Sequence, residues 1–403
     1  MIKLYTAFTN ELDDPKAAIR EIIKQLKLNE TMLKNSVGIV QFHLEFIQTG
    51  IYQALVEALP FELVGCVTTS VGVNGQYGDF ALSVALITSD DVKFTVRTFQ
   101  NFDKKPREKI ADELTLLFTE LSESEKPKMV FSFMPLLQEF SGDDLVAVVN
   151  ALPKSFPLFG TIALNGVNYG DGPEAFLVSN GMNYSHTIMA FVALYGDFEP
   201  KFRVTTSFDF EETFGEVAEI TDSDGAVLKK VNGMAAVDFL IKQGGITDRS
   251  EITGDTNVVS SIPSILTRKD GTKVARAFLG IVDGDPDYVF SAGHLEVGSK
   301  ISFSCLDGEK TLLSAEKLIT EISASNERNF IAFSCAARAW SFGSQYLDEV
   351  KKIALWSDEY RKRNTPIEYS ISYSAGEICP VLNEKGELVN TLHNFTLISC
   401  SFG

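Results

Sequence analysis

Three segments near the C-terminus bring together side chains able to do chemistry. In Phe333-Ser334-Cys335-Ala336-Ala337-Arg338 an apolar run ends in small residues and then an arginine. Such a strand end exposes a thiol beside a fixed cation, which favours thiolate. In Tyr373-Ser374-Ala375-Gly376-Glu377 the small residues let backbone amides approach a ligand, and Glu377 supplies a carboxylate. The third segment, His393-Asn394-Phe395-Thr396, alternates polar and apolar groups in what reads as one last strand, Val389–Ser401. Alternation sends His393 and Asn394 to opposite faces, which argues against both orienting one site.

Each residue has more than one reading. Cys335 is a small buried hydrophobe, a pocket wall or a nucleophile. Arg338 binds an anionic ligand in bidentate fashion, or forms an internal ion pair with Glu349 or Glu377. Glu377 holds a ligand ammonium or caps a neighbouring segment. Cys335, His393 and Asn394 follow the chain order of Cys–His–Asn thiol hydrolases, although order alone defines no triad. Cys66 and Thr68, at the end of an equivalent N-terminal strand, either face the same cleft or pack internally.

Standard signatures are missing. Gly72-x-x-Gly75-x-x-Gly78 has the wrong spacing for a phosphate loop and leads into a strand, so it reads as a hairpin connection. Asp283-x-Asp285-x-Asp287 begins like a calcium loop, but Tyr288 stands where glycine is needed and His294 where glutamate is needed. No Gly-x-Ser-x-Gly elbow occurs. Four scattered histidines, His43, His186, His294 and His393, make no recognisable metal set, and no cofactor is implied.

Composition narrows the partners. The 403 residues carry 36 Lys+Arg against 54 Asp+Glu, a formal charge of −18. An acidic surface without a basic cluster repels phosphate backbones, which excludes nucleic acid. The longest apolar runs fall far short of the ~18 residues that span a bilayer. The N-terminus lacks a secretory apolar stretch, and five widely spaced cysteines form no framework. A cytoplasmic protein is expected.

The elements that position these groups read as a repeat of about ninety residues. Copy one runs from strand Ile2–Phe8 through a helix capped by Asp14 with Pro15 at its first position. Strand Val37–Phe42, helix Ile51–Leu59 and strands Leu63–Thr68 and Phe80–Thr88 follow. Copy two repeats the order: strand Val92–Phe99, helix 106–121, strand Met129–Phe133, a helix after Ser141, then strands Phe156–Ala163 and His186–Tyr195. Both copies place Ala-Leu-Pro after a helix and a glycine, Gly65 or Gly160, in the next strand. Gly196 to Pro200 marks a boundary. Residues 201–305 are rich in short strands with Asp-Gly turns at Asp224, Asp270, Asp283 and Asp307 and one helix, 233–242. Strand–helix grammar returns from 309 as a third copy. The fold expected is α/β (mixed α+β), with two domains of mixed sheets covered by helices, 1–197 and 198–403. The first is built from the duplicated strand–helix–strand–helix–strand–strand unit.

The segments SCAAR, YSAGEI and LHNFT resemble the C-region of the FIST family of sensory domains, in the family's order. LVGCVTTSVG after a helix and "ALP" resembles the companion N-region, departing from it in having Ser70-Val71-Gly72 where a glycine–glutamate ending is expected. The resemblance spans roughly residues 35 to 400. It implies a small-molecule sensor for amino acids or similar metabolites. Because both regions use the whole chain, signalling is expected through a partner protein. The ligand would lie between the halves, against Cys66, Thr68, Cys335, Arg338, Ser374, Gly376, Glu377 and Asn394. A zwitterion suits this set, with its carboxylate on Arg338 and its ammonium on Glu377. A thiol enzyme using Cys335 and His393 is the alternative.

Overall fold

The computed structural model describes residues 1–102, 104–165, 173–252, 258–282, 284–325, 327–363, 367–383 and 385–402. Asp283, read as a turn residue and as the start of the acidic loop, lies outside them.

The repeat is present in the fold. Unit one comprises β1 (Lys3–Thr9), α1 (Pro15–Leu26), β2 (Asn35–Phe42), α2 (Ile51–Ala58), β3 (Glu62–Val67), the hairpin β4 (Ser70–Val73) and β5 (Gln76–Asp79), and β6 (Leu82–Ser89). Asp14 caps α1 by accepting from the amides of Lys16 and Ala17. Unit two repeats this with β7 (Lys93–Gln100), α3 (Arg107–Leu121), β8 (Met129–Met134), α4 (Gly142–Asn150), β9 (Leu158–Ile162), the hairpin β10 (Val178–Asn180) and β11 (Asn183–Ser185), and β12 (Ile188–Tyr195).

Unit three starts earlier than residue 309. Its first strand is β13 (Pro200–Thr206), and the strand-rich region is an insert between that strand and the unit's first helix. The insert holds β14 (Phe214–Asp224), β15 (Val227–Val231), β16 (Met234–Ala235), α5 (Ala236–Gln243), β17 (Ser264–Thr267), β18 (Lys273–Arg276), β19 (Phe278–Val282), β20 (Asp285–Ser291) and β21 (Lys300–Phe303). The unit resumes with α6 (Gly308–Ala324), β22 (Asn329–Cys335), α7 (Ala336–Trp340), α8 (Asp348–Arg363), β23 (Glu368–Ser374), the hairpin β24 (Glu377–Leu382) and β25 (Leu388–His393), and β26 (Thr396–Phe402). Asp307 is a helix cap rather than a turn residue. Its carboxylate accepts from the free amides of Glu309 and Lys310, which a hairpin would not present.

Each unit forms a four-stranded mixed sheet and completes it with another unit's hairpin. The strand orders are β1-β6-β2-β3 with β10-β11, β7-β12-β8-β9 with β24-β25, and β13-β26-β22-β23 with β4-β5. Hairpins thus pass cyclically from unit one to three, three to two, and two to one. Among the described residues the parallel pairs within these sheets are β2·β3, β8·β9 and β22·β23. In β3 and β9 the glycines sit against those parallel neighbours: a Cβ on Gly65 would lie 1.7 Å from the Val40 carbonyl oxygen, and one on Gly160 would lie 2.0 Å from Ser132 Oγ. The β4–β5 turn is Asn74-Gly75, both at positive φ, as a tight two-residue hairpin requires.

The inner faces of the three sheets meet in one phenylalanine-rich core. Phe159 stacks on Phe333 at 5.2 Å, and Phe131 approaches Phe159 and Phe402 at 6.0 and 6.1 Å. Central strands β6 and β12 are buried at every position, which accounts for their continuous apolar text. The insert forms its own eight-stranded sheet and covers the strand ends where β22, β23 and β24 meet.

Candidate functional site

β22 turns directly into the five-residue helix α7, and this puts Arg338 inside the protein with no exposed surface. Its Nε and Nη2 donate to Glu349 Oε1 at 3.1 and 2.5 Å, and Nη2 also reaches Ser314 Oγ at 2.8 Å. Glu349 Oε2 accepts from Ser334 at 2.7 Å and from the Tyr373 hydroxyl at 3.1 Å. Of the readings open for Arg338, its ion-pair partner is therefore Glu349, not Glu377. The guanidinium is only partly satisfied: Nη1 has no hydrogen-bond partner among the described residues.

Ser374, Gly376 and Glu377 lie where β23 passes into β24. Ser374 Oγ donates to Glu377 Oε1 at 2.6 Å, and Thr396 Oγ1 donates to Oε2 at 2.8 Å. No cation pairs with Glu377 among the described residues. Burial therefore pushes its carboxyl up to about 8, against the opposing pull of the two hydroxyls and the Arg338 charge. Gly376 is needed for close approach, because a Cβ there would stand 3.0 Å from Asn394 Nδ2 and 3.1 Å from Ile162 Cδ1.

Cys335 shares this neighbourhood but is held as a thiol. Burial, with the Glu377 charge adding to it, pushes the group well above the ordinary cysteine range and outweighs Arg338. His393 is half-buried. It is lowered to about 4 by burial and contacts the Cys379 carbonyl oxygen at 3.1 Å. Among the described residues no hydrogen bond joins it to Cys335.

The single last strand read across Val389–Ser401 is in fact two, β25 and β26, because Phe395 at φ 60° breaks it. Alternation does not run through Asn394. Its side chain instead donates to the His393 carbonyl at 2.9 Å and accepts from the amide of Ala277 in the insert at 3.4 Å. Thr68 Oγ1 bonds both backbone groups of Tyr373, at 2.8 and 3.1 Å, and so sits beside the strand-end cluster. Cys66 does not join it. It packs in the phenylalanine-rich core with its sulfur 3.5 Å from Gln41 Nε2, and burial pushes the thiol up to about 12.

The insert closes over the cluster. Phe208, Ala277, Leu279, Phe290 and Ala292 form one apolar group with Cys335, Ala337 and Phe395. Sequence reading missed the clasp that holds it. Arg276 is fully buried, its Nη2 donates to both oxygens of Asp143 at 2.9 and 2.8 Å, and the His294 amide adds a third bond to that carboxylate. Asp144 next to it completes a capping box with Ser141 and meets His294 Nε2 at 3.0 Å. That capping box is visible in the text as Ser141-x-x-Asp144; the partner arginine is not. Replacing His294 by alanine is expected to cost about 1 kcal/mol in denaturant titration, since the pair is only part-buried. Beside the clasp, residues 134–137, Ser141, Gly142, Ile162 and 291–293 enclose about 10 Å³, near the minimum for one water.

Strand ends converge here under a cover, with a partly satisfied guanidinium and a buried carboxyl among them, in a chain whose family match is to a sensory, small-ligand-binding domain. Residues 36–234 match the family model of the FIST N domain, and the chain belongs to the FIST family. No curated protein matches it. Among solved structures, one titled "Structure of PurLQS from Thermotoga maritima" is similar over 100% of this chain and 72% of that one, at 8% identity and a TM-score of 0.18. A likeness that slight carries no argument. Among the described residues no helix is long and apolar enough to cross a membrane, and no His, Cys, Asp and Glu cluster is arranged to hold a metal.

Proposed function

We propose that the chain is a cytoplasmic signal-transduction sensor for an amino acid or similar small metabolite, bound where the halves 1–197 and 198–403 meet. The observation behind this reading is a fully buried guanidinium with one unpaired nitrogen close to a buried carboxyl without a cation. Arg338 Nη1 would take the ligand carboxylate and Glu377 its ammonium. Ser374, the Gly376 backbone, Asn394, Thr68 and the Cys335 thiol would wall the site, with Cys66 behind it. The insert packs its apolar group against Cys335 and Phe395, so binding there requires the insert to shift. That displacement is the change a partner protein would read. The thiol-enzyme alternative is not favoured, since burial holds the Cys335 thiol above the ordinary cysteine range and, among the described residues, no hydrogen bond joins it to His393.

A thermal-shift screen over amino acids tests the reading, because a ligand at 100 times its Kd adds ~2.7 kcal/mol to stability. No stabilisation by any of them at millimolar concentration would sink it. The proton count gives a sharper check. At pH 7 Glu377 is mostly protonated, and an ammonium bound beside it favours the carboxylate, so binding releases up to about one proton. The calorimetric enthalpy should then change with the ionisation enthalpy of the buffer. In Glu377→Gln that dependence disappears.

A further inference from the structure

The closed cluster has an open neighbour. The chain leaves the three-sheet body after Thr206 and returns through α6, and these two crossings flank a surface cleft of about 560 Å³. That volume lies in the range of small-molecule sites. Ser207 lines it, 1% exposed, with a hydroxyl that has no partner among the described residues. A buried hydroxyl left unpaired is costly, and a ligand or water would satisfy it.

The other lining groups are of three kinds. Phe208 and Phe210 meet edge to face at 5.2 Å, and Leu313 is 55% exposed on the opposite wall. Lys310 is already paired with Glu212 at 2.5 Å. Lys317 and Asp209 are exposed and enter no ion pair among the described residues, which leaves one cation and one anion beside an apolar wall.

Two lining residues also touch the buried cluster. Ser314 accepts from Arg338 Nη2 at 2.8 Å, and Phe208 packs edge-on against Phe395 at 6.2 Å, within the apolar group that contains Cys335. We propose that this cleft is a second small-molecule site, taking a zwitterion with an aromatic or branched apolar body, and that its occupancy sets how the insert sits over the strand ends. The ligand's carboxylate meets Lys317, its ammonium meets Asp209, and its body lies between Phe210 and Leu313. A filled cleft ties segment 206–212 to α6, the two points about which the insert would turn. The site goes beyond the sensor reading and stands apart from it, since Arg338 and Glu377 do not line it.

Calorimetry on the full chain tests it, with L-phenylalanine as probe and phenylacetate and 2-phenylethylamine as half-charged controls. To separate the two sites the titration is run on Glu377→Gln, which retains every cleft residue. Saturable L-phenylalanine binding is expected there. Lys317→Ala should weaken it roughly tenfold or more while leaving 2-phenylethylamine unchanged, and Asp209→Asn should do the reverse with phenylacetate. Leu313→Asp should abolish binding of all three probes. These three side chains are exposed, so the variants fold. Binding to the wild type that vanishes in Glu377→Gln would overturn the cleft and leave the strand-end site standing. Binding to Glu377→Gln that ignores all three cleft substitutions would also overturn it. With the cleft intact and no proton release in the wild type, the strand-end reading falls instead.

Discussion

Replacing Glu349 by glutamine is expected to destabilise the folded chain by about 3–5 kcal/mol, seen as a lower urea midpoint with little change in slope. The cause is an uncompensated charge. Arg338 and Glu349 have no exposed side-chain surface, and among the described residues the carboxylate is the only anion bonded to that guanidinium. An amide leaves the arginine charged in the interior, where it cannot shed its proton. It also offers poorer acceptance to Ser334 and Tyr373, both of which donate to Oε2. Arg338→Met should cost less, because it removes the group that is always charged and leaves a carboxyl still hydrogen-bonded by Ser334 and Tyr373. The double variant Arg338→Met, Glu349→Leu should recover much of the loss, since well-packed apolar pairs often match buried ion pairs. A glutamine variant with an unchanged midpoint would mean the pair is solvated, and the closed site would have to be redrawn.

How much of this could be read from text depended on the range over which each feature is decided. Asp14-Pro15, Gly65 and Gly160 act within a turn or across adjacent strands, and the repeat follows from them. The hairpin at Ser70–Asp79 was legible for the same reason, since Asn74-Gly75 dictates its turn. Its destination was not. It pairs with β23, whose partner residue Ser370 is almost three hundred positions from Val73, and nothing local encodes which sheet receives it. Asp143 and Arg276 read as an ordinary first-turn acid and an ordinary strand arginine, yet they clasp insert to body across the fold. The break at Asn394–Phe395 was hidden because the positive φ falls on a phenylalanine, which carries no turn signal. The chemically suggestive strand ends, by contrast, do converge: Cys335, Ser374 and Glu377 come from β22, β23 and β24, and Arg338 from α7 directly after β22, beneath the insert.

Glu377→Gln should flatten the dependence of stability on pH between about 4.5 and 8. In the unfolded chain the carboxyl titrates near its ordinary 4.5, whereas in the folded protein it titrates near about 8. A raised folded value means that the contribution to stability is complete below the unfolded value and is lost as pH rises through the folded one. By pH 7 the wild type should have lost about 3 kcal/mol relative to pH 4, and the loss should level off above pH 8. Glutamine has no proton to lose, so its urea midpoint should stay level across that window and meet or exceed the wild type at pH 8. Ser374 can turn its hydroxyl to the Gly376 carbonyl, already 3.0 Å away, which limits the cost of the amide. A wild-type profile as flat as the variant's would show that water reaches the carboxyl. Saturation with a ligand bearing an ammonium group should flatten the wild-type profile in the same way, because a cation beside Glu377 lowers its titration toward the unfolded value. One set of pH titrations therefore reads both the burial of this acid and what it is built to hold.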